Sequence, residues 1–159
     1  MSIPPKITIY TDGAAQGNPG PGGYGIVMIS GQHRKEFSAG FRETTNNRME
    51  LLAVVEALKK LKWKGMNVTI YSDSKYVVDA VEKKWVFGWQ QTGFKNKKNP
   101  DLWRAFLSVY PLHHIKFVWV KGHAGNPLNE RCDELAVAAA KSATNVDHGY
   151  EQTKSTLYG

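Results

Sequence analysis

Apolar and polar residues alternate with period two over "KITIY" at residues 6–10, the spacing of a strand with one covered face. Two further strand-like runs, "YGIVMIS" at 24–30 and "KEFSAGF" at 35–41, are joined by the short "GQHR" and predict a hairpin. The first three strands are therefore expected to run antiparallel. Before that hairpin, "DGAAQGNPGPGG" at 12–23 is so rich in Gly and Pro that it predicts a loop, neither helix nor strand, with a tight turn opening at Asp12-Gly13.

The period then changes. Leu51, Val55 and Leu58, with Val54 and Leu61, recur at helical spacing between Asn46 and Lys62, and Gly65 stands where a helix should stop. "VTIYSD" at 68–73 predicts a fourth strand, and the order hairpin, helix, strand favours laying it parallel to the first in a mixed sheet. "SKYVVDAVEKK" predicts a helix capped by Ser72, Asp73 or Ser74. "NPDLWRAFLSVY" predicts another, with Asn99 as cap and Pro100 at its first position. "IKFVWV" at 115–120 is a last strand and "NPLNERCDELAVAAAKSA" a last helix, opened by Asn126 and Pro127. The polar tail from Asn145 is assigned no structure.

The first and fourth strands nearly repeat one another, as "ITIYTD" and "VTIYSD", and both copies end on a carboxylate. Asp12 shares a face with Thr8 and Tyr10, and Asp73 with Thr69 and Tyr71, so neighbouring strands in register would bring the two aspartates side by side. Strands lie about 4.8 Å apart. Two carboxylates at that spacing repel, and one takes up a proton unless a cation sits between them. Each has a local alternative: Asp-Gly is a common turn pair, and Asp73 before a helix is an ordinary cap. Glu50 falls in line with Val54, Ala57 and Leu61 on the face that meets the sheet, where it is either a third member of the set or the partner of Asn47 in a capping box. Asp133, in the last helix, is either a fourth member or a solvated neighbour of Glu130 and Glu134.

Composition sharpens this. The chain of 159 residues fits one domain, and 21 Lys and Arg against 14 Asp and Glu give a net charge of +7, which favours an anionic partner. The single cysteine, Cys132, excludes an internal disulfide and fits a reducing cytoplasm. "MSIPPKI" lacks the features of a secretory signal, and no stretch approaches the roughly 20 apolar residues of a membrane span. Carboxylates gathered in a basic protein suit Mg²⁺ or Mn²⁺ held together with phosphate oxygens. Phosphodiester chemistry with two ions is the reaction such a set serves. Between Lys83 and Lys98 five lysines and no acids are interleaved with Trp85, Phe87, Trp89 and Phe94, either a helix packed on the core with solvated lysines or a nucleic-acid contact. Trp103 and Phe106 are expected in the core.

At these residues the chain resembles the type 1 ribonuclease H family of bacteria. The likeness runs through "YTDGAAQGNPGPGGYG", "TTNNRMELLAVVEAL", "YSDSKYVV", "WVFGW", "DLW" and "WVKGHAGNPLNERCDELA", in that order, from Ile7 to about Ser142. It implies an α/β fold with a ribonuclease H-like mixed five-stranded sheet in the order 3-2-1-4-5, strand 2 antiparallel, flanked by helices. A catalytic domain over 1–144, with a basic protrusion at 83–98, would precede a C-terminal tail at 145–159. The implied activity is endonucleolytic hydrolysis of the RNA strand of an RNA/DNA hybrid by a monomer with two Mg²⁺ ions, leaving 5′-phosphate and 3′-hydroxyl ends.

Carried over by motif, Asp12, Glu50, Asp73 and Asp133 match the family's metal-binding carboxylates, and His123 in "KGHAGN" its mobile histidine. Gly122 and Gly125 flank that imidazole, whose pKa near 6.5 suits proton transfer. Asn18, Asn46 and Asn47 match positions facing the hybrid's minor groove, while Thr45 and Asn99 resemble a pocket for a DNA phosphate. Lys83, Lys84, Lys95, Lys97 and Lys98 would grip the DNA strand in the protrusion, with Trp85 packed inward and Trp89 exposed. Three positions depart from the pattern: Lys75 stands where a glutamine is usual, Glu43 where an arginine often holds the phosphate, and Asn126 where a second histidine is frequent. Two rivals remain. Integrases, transposases and resolvases share such an acidic sheet edge and act on DNA, and a hybrid-binding module would lack turnover.

Overall fold

The computed structural model describes residues 6–122 and 124–152. Five strands, β1 (Lys6–Ala15), β2 (Gly20–Ser30), β3 (His33–Thr44), β4 (Asn67–Ser72) and β5 (His114–Trp119), form one sheet in the order β3-β2-β1-β4-β5. β1 to β3 are antiparallel, and β4 and β5 run parallel to β1. The expected sheet is therefore observed. Its register is also the one the repeat requires, with Thr8 beside Thr69 and Tyr10 beside Tyr71. The two tyrosine rings stack at 4.7 Å, locking the paired copies together.

The glycine-rich stretch is the main departure from expectation. β1 continues to Ala15 and β2 begins at Gly20, so Asp12 pairs with Gly25 and Gly13 with Tyr24 inside the ladder. The turn falls at 16–19 instead of at Asp12-Gly13. Propensity is overridden by what lies above: a β-carbon at Gly25 would strike the backbone of the last helix at Cys132. A strand without side chains is what allows that helix to lie close on the sheet.

Helix α1 (Asn46–Lys59) is covered by the sheet on one side and by α4 (Pro100–Val109) on another, burying Met49, Leu51, Val54, Val55 and Leu58. Thr45 caps it by accepting from the Arg48 N–H, so the capping box of Asn47 and Glu50, the alternative reading, is absent. α2 (Lys75–Glu82) is capped by Ser74, which accepts from Val77. α5 (Pro127–Lys141) is capped by Asn126, which accepts from both Leu128 and Asn129. Asn99 precedes α4 as expected but in the left-handed region, φ 61°, and its side chain makes no capping bond. It is spent elsewhere, as shown below. Trp103 and Phe106 lie fully in the core.

The tail read as structureless is partly built in. Asn145 bridges to Phe41 beside β3, residues 148–152 make a helical turn, and Asp147 is buried. Leu157 and Tyr158 lie outside the described residues. Among those residues no helix is long and apolar enough to cross a membrane.

Candidate active site

Three rigid elements converge at the end of the β1–β4 pair. Asp12 sits within β1, Asp73 follows the last residue of β4, and Glu50 lies in the first turns of α1. One carboxylate oxygen from each lies within 4.8 Å of the other two. Gly13 makes this approach feasible, because any β-carbon there would collide with the α1 backbone at Met49 and Glu50. The close contact of α1 with β1 is what carries Glu50 to the two aspartates.

The local alternatives for these carboxylates are occupied by neighbours. Ser74 caps α2 and Thr45 caps α1, so neither Asp73 nor Glu50 is needed for a helix end. Asp12 accepts a 2.9 Å hydrogen bond from the Gly13 N–H, yet no turn forms there. Oε1 of Glu50 is buried without a hydrogen-bond partner. An orphaned buried carboxylate oxygen aimed at two other carboxylates is costly unless a cation completes it. Three hard oxygen donors of this kind fit Mg²⁺ or Mn²⁺.

Burial and the Asp73 charge push the Asp12 carboxyl up to about 7, against a hydrogen bond from Glu50 that pulls it down. Glu50 is driven well above the carboxylate range by burial and by the Asp12 and Asp73 charges. Without a cation, both buried carboxyls are driven toward their neutral forms. Asp133, half-buried on α5, stands outside the close set, but its charge reaches Asp12 and adds to the upward push. His123 lies outside the described residues.

This predicts an inverted pH dependence of stability. The folded, cation-free protein holds the Asp12 proton up to about pH 7, whereas the unfolded chain releases it near the ordinary value of 3.8. In that window the folded state binds more protons, so stability falls as pH rises. Urea midpoints in EDTA are expected to drop between about pH 5 and about pH 8. Asp12→Asn should lessen the drop, leaving the part that Glu50 contributes, and a slope as steep as the parent's would place the titration elsewhere.

The expected substrate contacts divide. Asn46 accepts from the Ala15 N–H through its Oδ1, and Asn18 accepts from the Asn46 N–H, so both lock the β1–β2 turn to the start of α1 beside the carboxylates. Asn47 is exposed on the same rim. Asn99 is held from two sides: its Oδ1 accepts from Arg48 and its Nδ2 donates to the Tyr76 hydroxyl, which also accepts from Trp103. Thr45 is half-buried at the same corner. Glu43 also lies near it, its charge acting on Arg42.

The two protrusion tryptophans are reversed from expectation. On the short helix α3 (Trp85–Gln91), Trp85 is 48% exposed, while Trp89 packs edge-on against Trp103 at 5.9 Å. The reason lies in the inward-facing row, which Val86 and Trp89 share at i, i+3 spacing, leaving Trp85 outside it. Lys97 covers the Trp89 ring and Lys83 the Trp85 ring. Lys83 also reaches Asp79 at 3.6 Å, whereas Lys84, Lys95 and Lys98 form no ion pair among the described residues.

Sequence reasoning missed Arg48, Asp147 and Trp119. Arg48 carries no distinguishing signal inside an apolar helix, and Asp147 none in a polar tail. Asp12 and Glu50 are buried and Asp73 is half-buried. Two depressions of about 530 Å³ each lie elsewhere, one under residues 145–149 and one beside His113 and His114.

Comparison with known proteins agrees with this geometry. Ribonuclease H of Desulforamulus reducens is 62% identical over 141 residues, covering 86% of this chain and 88% of the relative. Ribonuclease HI of Synechocystis is 49% identical over 156 residues, covering 94% of this chain and 97% of the relative. Among solved structures, LC9-RNase H1, a type 1 RNase H with the type 2 active-site motif, superposes with a TM-score of 0.81 at 33% identity, covering 96% of this chain and 82% of that one. LC11-RNase H1 in complex with an RNA/DNA hybrid gives 0.65 at 30% identity, covering 86% and 97%. The RNase H family profile matches residues 4–141, and on this match, these relatives and the shared sheet the chain belongs to the type 1 ribonuclease H family.

Proposed function

We propose that this chain is an endoribonuclease that hydrolyses the RNA strand of RNA/DNA hybrids with two divalent cations, Mg²⁺ or Mn²⁺, leaving 5′-phosphate and 3′-hydroxyl ends. The observation that carries the reading is the meeting of Asp12, Glu50 and Asp73 within 4.8 Å in a protein with net charge +7. A relative solved with an RNA/DNA hybrid supports the substrate class.

Asp12, Glu50 and Asp73, with Asp133 at the edge, would hold the ions. Bound there, two cations supply an activated water and stabilisation of the leaving oxygen in an in-line displacement. The chain's own part is to keep three carboxylates poised on elements that cannot drift, since β1, β4 and α1 are all fixed by the core. Asn18 and Asn46 shape the rim over which the hybrid lies, and Asn47 faces the same groove. Thr45 and Asn99 receive a DNA phosphate, with Asn99 preset by Arg48 and Tyr76. Lys75 and the lysines at 83–98 supply backbone affinity without sequence preference. Selection of RNA comes from groups that read the 2′-hydroxyl. His123 carries the proton of the leaving oxygen. The protein acts as a monomer, and buried free Cys132 suits a reducing cytoplasm.

Labelled RNA/DNA hybrid, duplex RNA and duplex DNA incubated with Mg²⁺ test the reading. The expected result is cleavage of hybrid RNA alone, with 5′-phosphate products. Equal cutting of DNA would make it a DNA nuclease, and tight hybrid binding without turnover a binding module. In the same assay, changing Lys84, Lys95 and Lys98 to Ala is expected to lower the slope of log affinity against log salt by about two, since each phosphate contact contributes roughly 0.7 to 0.9. An unaltered slope removes the protrusion from the interface.

A further inference from the structure

Asp73 is the least anchored of the three carboxylates by its own element. It occupies the bend between Ser72, which ends β4, and Ser74, which caps α2. What surrounds it comes from the end of β5. The Trp119 indole N–H donates to the Asp73 carbonyl at 3.1 Å, and the Val120 N–H donates to the Ser72 carbonyl at 2.9 Å. Gly122 passes so near that a β-carbon there would stand 2.7 Å from Asp73 Oδ2.

Trp119 is 43% exposed, with its indole N–H turned to the Asp73 carbonyl. The Lys75 ammonium, one position past the α2 cap, lies 4.8 Å from its ring centroid. That cation over the ring face restrains the indole in the plane its N–H needs. The same end of β5 thus fixes the Asp73 backbone through Trp119 and bounds its carboxylate through Gly122.

We propose that Trp119 and Gly122 are positioning residues for Asp73, setting the direction of its carboxylate toward Asp12 and so the affinity of the site for a divalent cation. The proposal rests on reading Asp12, Glu50 and Asp73 as the cation site. Lys75, the residue that departs from the family's usual glutamine, acts here by restraining Trp119.

Two variants reach Asp73 by different routes. Trp119→Phe keeps a ring under Lys75 and removes only the donor. Gly122→Ala pushes against the end of a side chain, which can swing aside, so the carboxylate is displaced at small cost to the fold. Both are expected to lower kcat about tenfold at unchanged KM, the scale of losing a partner that orients a metal ligand. Both should also raise about tenfold the Mn²⁺ concentration that gives half-maximal thermal stabilisation of the free protein. Melting in EDTA should be unchanged. Parent-like Mn²⁺ midpoints in the two variants would overturn the proposal. So would a rise in KM alone, which would make Trp119 a substrate contact, or a loss of melting temperature in EDTA that accounts for the lost activity. The Mn²⁺ readout needs no nucleic acid, so failure of hybrid cleavage in the parent protein is distinguished from failure of the positioning role.

Discussion

Asp12→Asn is expected to abolish Mg²⁺-dependent hybrid cleavage while raising the melting temperature of the cation-free protein at about pH 8. The two effects have one cause. Asp12 is buried against Asp73 and Glu50, and its carboxyl is pushed from 3.8 up to about 7, so at pH 8 the folded state carries a charge that burial and its neighbours oppose. That rise corresponds to about 4 kcal/mol of unfavourable interaction at most. Asn removes the charge, keeps the shape and offers an amide donor to Glu50. A gain of a few kcal/mol in EDTA is the expected outcome, shrinking as pH falls and vanishing only below about 3.8, where Asp12 is protonated in the folded and unfolded states alike. The same change removes a central oxygen ligand, for which a loss of at least about 10²- to 10³-fold in kcat is the scale of a deleted electrostatic stabiliser. Thermal melts at two pH values with a cleavage assay decide it. A variant that is less stable at pH 8 and still active would make Asp12 a structural residue.

Asp147→Ala is expected to be the most destabilising single change outside the core, although it lies in a segment that looks dispensable. Arg48 is only 4% exposed. Its Nε and Nη2 donate to Asp147 at 2.8 and 2.9 Å, and its Nη1 and Nη2 to Asp101 at 2.9 and 2.7 Å. Asp147 also accepts from the Thr44 hydroxyl at 2.6 Å and from the Tyr150 N–H. Removing it leaves a buried guanidinium half-satisfied and Thr44 without its acceptor. Breaking a buried pair from one side costs about 3–5 kcal/mol, and Asp101 keeps the expected loss near the lower end. For a chain of this length that is a fall of about 6–12 °C in melting temperature. Urea unfolding measures the loss directly, and a change under about 1 kcal/mol would mean that the network is solvated in solution. Because Arg48 also fixes Asn99, the variant should bind hybrid more weakly in proportion to that pocket's share.

The strand repeat, the helix that carries Glu50 and the interleaved lysines are legible because each depends on local pattern: period two, period 3.6 and composition. The parity of Asp12 and Asp73 follows from the strand period alone, so their adjacency requires only the correct pairing of two copies. The resemblance extended this to Asp133 and His123, of which the structure places Asp133 at the edge of the set. The strand character of 12–15 and 20–23 was hidden because glycine is a poor strand former, and the need for glycine arises far along the chain, where α1 crowds Gly13 and α5 crowds Gly23 and Gly25. The reversal of Trp85 and Trp89 had the same origin, since both orientations satisfy the i, i+4 spacing and only Trp103 distinguishes them.

Sequence pattern alone placed two carboxylates at matching positions of a repeated strand, set a third on the sheet-facing side of a helix with a capping box as its alternative, and gave the chain an excess of basic residues. Only the tertiary structure decided which residues were free for chemistry. Ser74 and Thr45 took the helix caps, leaving Asp73 and Glu50 unclaimed, and Gly13 let α1 come close enough to bury Glu50 Oε1 without a partner. Caps and close approaches are settled by competition among neighbouring groups for the same few hydrogen bonds and the same space. That competition depends on distances through space, which a linear pattern of polar and apolar residues does not contain.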